Sequence, residues 1–414
     1  MIVAHVGPPP RRIGGPPGYL HQLQAGASTD PQPRHDVRFP PPADGARTAR
    51  PRSRPLGLLT RLRRKVFGPK FYRPSVSELS RAGGLVDRML RGIAADTGTE
   101  AGESLVSALG QADVIFTHEP FSAETALARK RPDQQVWMMC HGVTPIALYA
   151  VWSWGVPEAE WQSLVAYPDV RTWTDWELDV WSRVDRLILP CPEAGESFRT
   201  IDPRFNTALE RAGFILSGAS AAPSSSGRDP IARVAGERIG LYLGSAEPYR
   251  GFDALAKAVE ALPGHVKLSI AVAGPHPGKV PAHSVFRALG RVEDVAGLLA
   301  SVDFLINVNR FNLFDLSTIE ATQAGKPLLL HAVGGNRAFE RLGAGCVMLH
   351  DLQPVTIARG LVHLATVDEQ SLRALGNRSR ACWEHQLTPR HMWDRHLALY
   401  DEMALPAGRT AKQP

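Results

Sequence analysis

The chain has 414 residues, of which 44% are hydrophobic and 21% charged, and its formal net charge is +6. This length gives room for two domains that each bury a core, and the composition is that of a globular protein. The charge excess is small, and no zinc-finger, homeodomain or RNA-binding signature occurs. We therefore expect an anionic small ligand and no nucleic-acid partner.

The four cysteines, Cys140, Cys191, Cys346 and Cys382, lie far apart and have no metal-binding spacing. Such cysteines are typical of reduced thiols in the cytosol. No basic and apolar leader follows Met1, and no run of about 18 apolar residues occurs. The sequence therefore predicts a cytoplasmic protein without a metal site or a membrane span.

The first predicted element is an apolar strand, Met1–Val6, which leads into a glycine-containing loop. Gly14, Gly15 and Gly18 precede Tyr19, where a helical pattern begins. The spacing does not match G-x-G-x-x-G, so the dinucleotide-binding fingerprint is absent. The loop either faces a ligand or is a plain proline-rich surface turn.

Residues 56–67 have leucine and valine at helical spacing, opposite arginine and lysine. One interpretation is a basic amphipathic helix that makes weak contact with anionic lipid at the inner face of a membrane. The other is a solvated helix that packs its leucine face on the domain.

Two predicted strands each end in polar residues. Asp113–Phe116 runs into His118 and Glu119, and Val136–Cys140 runs into His141. Because ligands of open α/β sheets bind at the carboxyl ends of the strands, these side chains are candidates for a site. The alternative is that the histidines are hydrogen-bonded structural residues.

A polar stretch, Ser217–Pro230, is predicted to be flexible and to separate two domains. We predict an N-terminal domain over residues 1–218, a linker over 219–235 and a C-terminal domain over 236–388. The last predicted element is an amphipathic helix over residues 389–405.

The C-terminal domain begins with a predicted strand, Ile239–Leu243, and a loop that contains Ser245 and Arg250. A helix is predicted over Asp253–Leu262, and a second strand within Val266–Gly278. Strands that alternate with helices predict a parallel, doubly wound sheet.

A second polar loop follows a buried strand at residues 304–308, and a helix from about Asp315 to Ala324 comes next. Gly325–Pro327 is a helix-stop signal. A helix that begins directly after a parallel strand points free N–H groups and its positive dipole end at the loop, which favours phosphate binding. We therefore predict phosphate contacts near Leu316 and Ser317. Glu320, further along the helix, is placed to reach hydroxyls of an attached ribose.

This segment resembles the donor-binding motif of the retaining GT-B glycosyltransferases of family 4, which is Glu-x7-Glu followed by Glu-Ala-x-x-x-Gly-x-Pro and Gly-Gly. Glu320 begins the second part, and Gly334-Gly335 matches the end. Asn312 stands in place of the first Glu, and Asp315 in place of a Gly. The resemblance implies an α/β protein with two Rossmann-like doubly wound domains that face a cleft, with the final helix crossing back to the N-terminal domain.

The resemblance also implies roles for residues. Arg250 occupies the position of a lysine that grips the donor diphosphate, whereas Ser245 occupies that of an arginine. The missing cation is then expected from Arg310 or Lys326. Asp315 is expected to repel the phosphates unless it turns away to cap its helix. Further expected positions are Arg291 beside the nucleobase, Gly15 in the loop facing the cleft, Asn312 at the sugar hydroxyls, His141 at the reacting centre, and His118 and Glu119 on the acceptor side.

The implied activity is retaining transfer of a sugar from a nucleotide-diphosphate donor, with uridine as the expected base, to a hydroxyl of a natural product, polysaccharide or lipid. The nucleotide sugar is a substrate, and no cofactor or metal is expected. Two other classes stay open. One is a glycosyltransferase-like partner subunit that binds without turnover, and the other is a GT-B-type nucleotide-sugar epimerase.

Overall fold

The computed structural model describes residues 1–12, 15–41, 87, 90–92, 104–152, 161–220, 231, 233–245, 247–274 and 277–404. The amphipathic segment predicted at residues 56–67 lies outside these ranges, as do Gly14 and most of the predicted linker. None of the helices within them is long and apolar enough to cross a membrane.

The N-terminal half contains a six-stranded parallel sheet with the order β2-β1-β3-β4-β5-β6. Its inner strands are short runs of buried apolar residues, as expected where helices cover both faces of a parallel sheet. The strands are β1 (Ile2–Val6), β2 (Asp36–Arg38), β3 (Val114–Thr117), β4 (Gln135–Met139), β5 (Arg186–Leu189) and β6 (Gly213–Phe214). The helices are α1 (Pro16–Ala27), α2 (Pro120–Arg129), α3 (Ile146–Trp152), α4 (Trp161–Val165), α5 (Pro168–Arg183), α6 (Glu196–Ile201) and α7 (Asn206–Glu210).

The C-terminal half contains a second six-stranded parallel sheet, with the order β12-β11-β10-β7-β8-β9. Its strands are β7 (Arg238–Leu243), β8 (Leu268–Ala273), β9 (Phe286–Gly290), β10 (Phe304–Asn307), β11 (Leu328–His331) and β12 (Cys346–Leu349). Its helices are α8 (Phe252–Glu260), α9 (Val295–Ser301), α10 (Leu316–Gln323), α11 (Gly335–Arg341), α12 (Pro354–Thr366) and α13 (Glu369–Cys382). The predicted α/β architecture with two doubly wound sheets is confirmed.

The last helix, α14 (Pro389–Ala404), packs on the N-terminal half against α1. A Cβ added at Gly26 of α1 would overlap the carbonyl oxygen of Pro389, so the two backbones are in direct contact there. Trp393 and Tyr400 of α14 join Val3 and other residues of the N-terminal sheet in one hydrophobic cluster. Residue type at position 26 therefore controls how closely α14 approaches.

The start of the stretch predicted to be flexible, Ser217–Pro230, is packed. Ser217 and Ala219 are buried, and the Ala219 N–H donates to the Leu387 carbonyl at 3.0 Å. The Gln22 side chain is hydrogen-bonded to the Ser220 backbone through both its amide groups, at 3.0 Å each. The prediction of a flexible stretch from Ser217 is thus wrong for its first four residues, because α1 and the end of the C-terminal half cover them.

Candidate active site

The C-terminal sheet reverses its strand order between β7 and β10, which are hydrogen-bonded neighbours. Loops that leave the carboxyl ends of two such strands diverge and open a crevice, where open α/β sheets bind ligands. Here the loop after β7 carries Ser245 and Arg250, and the loop after β10 carries Asn312 and Asp315. The fold therefore brings the two predicted donor-binding loops together.

Asp315 is the centre of a polar cluster in this crevice. Its Oδ2 accepts from Arg250 Nη1 and Asn309 Nδ2, both at 2.8 Å, and from the Nδ2 atoms of Asn307 and Asn312, both at 3.2 Å. Asp315 stands at the N-cap of α10, but its side chain makes no capping hydrogen bond. Asp315 therefore does not turn away to cap the helix, because these four donors hold the carboxylate in the crevice.

Arg250 is held in a fixed position. It ends a short 3-10 turn before Gly251, whose φ of 67° is left-handed and whose missing Cβ leaves room for the Val308 carbonyl. The guanidinium lies over the Tyr249 ring, 5.1 Å from its centroid, and Nε donates to the Tyr249 hydroxyl at 3.1 Å. Arg250 is thus pre-oriented by an aromatic face and a carboxylate.

The replacement cations expected near the phosphates are both engaged elsewhere. Arg310 pairs with Asp253 at 2.8 Å and also donates to the Pro248 carbonyl at 2.7 Å. Lys326 donates to the Val302 carbonyl at 2.8 Å, and it precedes β11, whose amino end lies at the opposite edge of the sheet. The expectation for Lys326 is therefore wrong, and Arg310 is neutralised.

Ser245 adds no positive charge to the loop. Its hydroxyl donates to the Glu247 carboxylate at 2.6 Å, and its carbonyl accepts from the Tyr242 hydroxyl at 2.7 Å. Position 245 therefore has a hydrogen-bonded turn residue where the motif that it resembles has an arginine.

Glu320 lies on α10, half-buried, and its carboxylate accepts no hydrogen bond from the residues that the structure describes. Burial raises the pKa of this carboxyl to about 7. A desolvated carboxylate without hydrogen-bond donors is poorly stabilised by the protein alone, so a ligand that brings hydroxyl donors would satisfy it. Leu316 and Ser317 form the first turn of the same helix, where N–H groups have no partner within the helix.

The Gly334-Gly335 loop packs directly on the Asn312 backbone. The Gly335 N–H donates to the Asn312 carbonyl at 2.9 Å, and a Cβ at Gly334 would overlap the same oxygen. Asn312 is only 1% exposed, and its Oδ1 accepts no hydrogen bond from the described residues. This leaves one buried acceptor open in the polar cluster.

In the N-terminal half, the sheet order reverses between β1 and β3, and the histidines follow β3 and β4. His118 Nδ1 and His141 Nε2 are hydrogen-bonded at 2.9 Å. His141 is half-buried, whereas His118 is 0% exposed and so lies behind it. The expected direct place of His118 on the acceptor side is corrected, because both ring nitrogens of this buried side chain are hydrogen-bonded, to His5 and to His141.

Glu119 also has a structural role. Its carboxylate accepts from the N–H groups of Phe121 and Ser122, at 2.8 and 2.7 Å, and so caps α2. Burial raises the pKa of this carboxyl. The capping bonds hold both oxygens in place, and the expected contact of Glu119 with an acceptor remains a prediction.

Two predicted residues have no described partner that assigns them a role. Arg291 is exposed at the end of the sheet, after β9. Gly15 is the N-cap of α1 at φ 73°, with nothing within 4 Å of the place that a Cβ would occupy. Their contacts with a donor remain predictions.

The two halves meet where these groups lie. Tyr149 of α3, the helix that follows the His141 loop, has its ring centroid 5.9 Å from that of Tyr249. On the other side, the Gly334 N–H donates to Glu196 of α6 at 2.7 Å. The His141 loop and the Arg250 turn thus belong to one interdomain region.

Sequence reasoning missed Asn307 and Asn309, which help to hold Asp315. The spacing N-x-N at the end of a buried strand was the available signal, because amides at that edge of a sheet face the crevice.

Comparisons with known proteins agree with this geometry. Residues 237–366 match the family described as Glycosyl transferases group 1. Sucrose-phosphate synthase from Thermosynechococcus elongatus superposes with a TM-score of 0.62 at 16% identity, over 98% of this chain and 99% of that one. HepE from Anabaena in complex with UDP-glucose gives 0.59 at 14% identity, over 97% and 100%. WaaG, a glycosyltransferase involved in lipopolysaccharide biosynthesis, gives 0.56 at 12%, over 96% and 99%. No curated protein sequence matches the chain.

This chain, with its two parallel six-stranded sheets, therefore superposes on these solved structures over nearly its whole length. The protein has the GT-B fold, and residues 237–366 within it match the family model of group 1 glycosyl transferases.

Proposed function

We propose that this glycosyltransferase moves a sugar, with retention of anomeric configuration, from a uridine diphosphate sugar to an acceptor hydroxyl. Two observations on α10 carry the proposal. Arg250 is held at the start of this helix by its hydrogen bond to Asp315, and the desolvated Glu320 carboxylate further along it accepts no hydrogen bond from the described residues. A cation and a helix N-terminus suit a diphosphate, and the carboxylate suits the two hydroxyls of a ribose.

The roles follow from charge. Breaking the bond between sugar and phosphate leaves negative charge on the diphosphate, which Arg250 and the N–H groups of Leu316 and Ser317 would stabilise. Glu320 would anchor the ribose and fix the donor along the crevice. Asn312 has a free Oδ1 that would accept from a sugar hydroxyl once the loop adjusts. His141 would lie beside the reacting centre, and the leaving phosphate itself would take the acceptor proton.

A second candidate is a partner subunit that binds the nucleotide sugar without turnover. It is favoured by one observation: Asp315 already neutralises Arg250, and Ser245 stands where a second cation is expected. Less net positive charge then faces the leaving group. No comparable observation favours an epimerase, which would need an acid and a base around the sugar.

Incubation of the purified chain with UDP-glucose, the ligand of HepE, separates these functions. Release of UDP in the absence of an acceptor, measured by chromatography, supports the transferase. Thermal stabilisation by UDP-glucose without any UDP release over hours supports the binding subunit. Neither stabilisation nor release with UDP-glucose or other UDP sugars would remove the uridine assignment.

The acceptor belongs to the same proposal. A natural product, a polysaccharide end or a lipid each supplies the required hydroxyl. A cytoplasmic location with weak contact to the inner membrane face through residues 56–67 would suit a lipid acceptor, and binding to anionic vesicles measures that contact.

A further inference from the structure

Four histidines and two tyrosines form one continuous hydrogen-bonded network through the N-terminal half. The links run from Tyr19 through His396, Tyr400, His5 and His118 to His141, at 2.8, 2.9, 3.0, 2.9 and 2.9 Å. This histidine–tyrosine network joins α14, which carries His396 and Tyr400, to the residue expected at the reacting centre.

The interior of the network is buried. His118, His396 and Tyr400 are 0% exposed, His5 is 1% and Tyr19 is 2% exposed. Burial lowers the pKa of all four imidazoles, to about 3 for His5 and His141, so they are neutral near pH 7. A neutral imidazole has one N–H donor and one bare nitrogen.

Because each ring has one donor and one acceptor nitrogen, the position of the hydrogen on one member of the network determines its position on the next. His118, His5 and His396 each use both ring nitrogens within it, so each donates one hydrogen bond and accepts one. A tyrosine hydroxyl has a single hydrogen, so Tyr400 donates either to His5 or to His396. The proton positions are therefore not independent.

One direction satisfies every buried donor. If the hydrogens point from Tyr19 toward His141, both hydroxyls and all the interior N–H groups have an acceptor. In the other direction one tyrosine hydrogen is left over, because neither hydroxyl has a further partner among the described residues. A buried donor without an acceptor costs its full desolvation penalty, and both tyrosines are at most 2% exposed.

We infer that the histidine–tyrosine network holds His141 with its hydrogen on Nδ1, so that His141 offers a hydrogen-bond donor, and no general base, to the bound ligand. In this arrangement His141 Nε2 accepts from His118. Its Nδ1 makes no hydrogen bond with the described residues, and the side chain is half-buried, so this nitrogen is the one left for a ligand. Tyr400, His396, His5 and His118 are then positioning residues. That a ligand lies beside His141 rests on the proposed function, whereas the tautomer does not.

Nitrogen-15 NMR of the full chain, labelled at the histidine rings, reads the tautomer without any turnover. We expect a single Nδ1–H pattern for His141, assigned by its loss in His141→Asn. The variant Tyr400→Phe removes the hydroxyl whose hydrogen reaches His5 Nε2, so the two directions become closer in free energy and part of the His141 signal should become Nε2–H. Tyr242→Phe, which also loses one hydrogen bond of a buried tyrosine, should leave it unchanged. An Nε2–H pattern in the wild-type chain would overturn the inference.

Kinetics provide a second readout. The amide nitrogen of asparagine is bonded to Cγ, as imidazole Nδ1 is, so His141→Asn can still donate from that place, whereas His141→Gln extends one atom further. We expect His141→Ala to lower kcat/KM at least tenfold, the scale of one lost hydrogen bond, and His141→Asn to recover most of it. A general base predicts instead that Asn and Ala are equally poor, by about 100-fold or more.

The two ideas fail separately. If UDP-glucose is neither bound nor cleaved but His141 shows the Nδ1–H pattern, the inferred tautomer is supported and the proposed function is contradicted. If UDP-glucose is turned over and His141 is the Nε2–H tautomer, the proposed function is supported and the inferred tautomer is contradicted.

Discussion

Arg250 Nη1 donates to Asp315 Oδ2 at 2.8 Å and so joins the loop after β7 to the start of α10. The side chains are 22% and 15% exposed, which makes this a largely desolvated ion pair. Such a pair orients its arginine firmly, but it also cancels much of the charge that a diphosphate would meet. The site therefore has a well-positioned arginine, but the Asp315 carboxylate reduces the positive potential around it.

Asp315→Asn removes the charge that Arg250 and three asparagine amides share. We expect the free energy of unfolding to fall by about 2–4 kcal/mol, because a largely buried arginine is left without its partner. Denaturant unfolding measures this change. Asp253→Asn breaks the pair with Arg310 at a carboxylate that is 51% exposed, and it should cost less than about 1 kcal/mol. Equal effects of the two variants would contradict a central role for Asp315.

We expect Glu320 to make donor binding depend on pH. Burial raises the pKa of the free carboxyl to about 7, whereas ribose hydroxyls bind the ionised form and lower this pKa in the complex. Affinity for UDP-glucose is then highest above pH 7 and falls as the pH drops. Between pH 8 and pH 6 we expect the Kd to rise about tenfold, as the ionised fraction falls. Calorimetry at several pH values measures this dependence, and Glu320→Gln should abolish it. A wild-type Kd that does not change over this pH range would rule out binding of the ribose by ionised Glu320.

Gly26→Ala tests the docking of α14. The added Cβ would overlap the Pro389 carbonyl, so α14 must move away from α1, and we expect a loss of about 1–3 kcal/mol in unfolding free energy. Gly110 lies in an exposed helical turn with nothing within 4 Å of a Cβ. Gly110→Ala should therefore stabilise the chain by about 0.5–1 kcal/mol. Thermal unfolding that shifts both variants in the same direction would refute the close contact.

Glu177 makes stability depend on pH. It is 3% exposed, accepts from the Ile146 N–H at 2.7 Å, and has a pKa raised by burial to about 8. Because the folded state holds this proton more tightly than the unfolded state, the stability it contributes at low pH is lost as the pH rises from about 4.5 to 8. Glu177→Gln keeps the acceptor without the charge, so its stability relative to wild type should improve from pH 5 to pH 8. The control Glu210→Gln, at an exposed position, should show no such trend. Urea unfolding of the three proteins from pH 5 to pH 8 measures these free energies.

The elements around Glu320 were predictable because their signals are local. A buried run, a polar loop, a helical period and a Gly-Lys-Pro stop define β10, α10 and β11 within about 30 residues. The partners of Asp315 were not predictable in the same way, since Arg250 lies 65 positions away. Likewise, the sequence predicts that His118 faces a ligand, but in the structure β1 and α1 pack against it. The His5–Tyr400 hydrogen bond spans 395 positions of the sequence. Such pairings depend on how whole elements pack, which periodicity does not encode.

The central claim is that Glu320 grips the ribose of a nucleotide sugar whose diphosphate lies at the start of α10. Calorimetric titration of UDP-glucose at pH 8 into the wild-type chain, Glu320→Ala and the exposed-site control Glu260→Ala tests it most directly. The account predicts that Glu320→Ala weakens binding at least tenfold, about 1.4 kcal/mol, while Glu260→Ala binds as the wild type does. Equal affinity in all three proteins would contradict it.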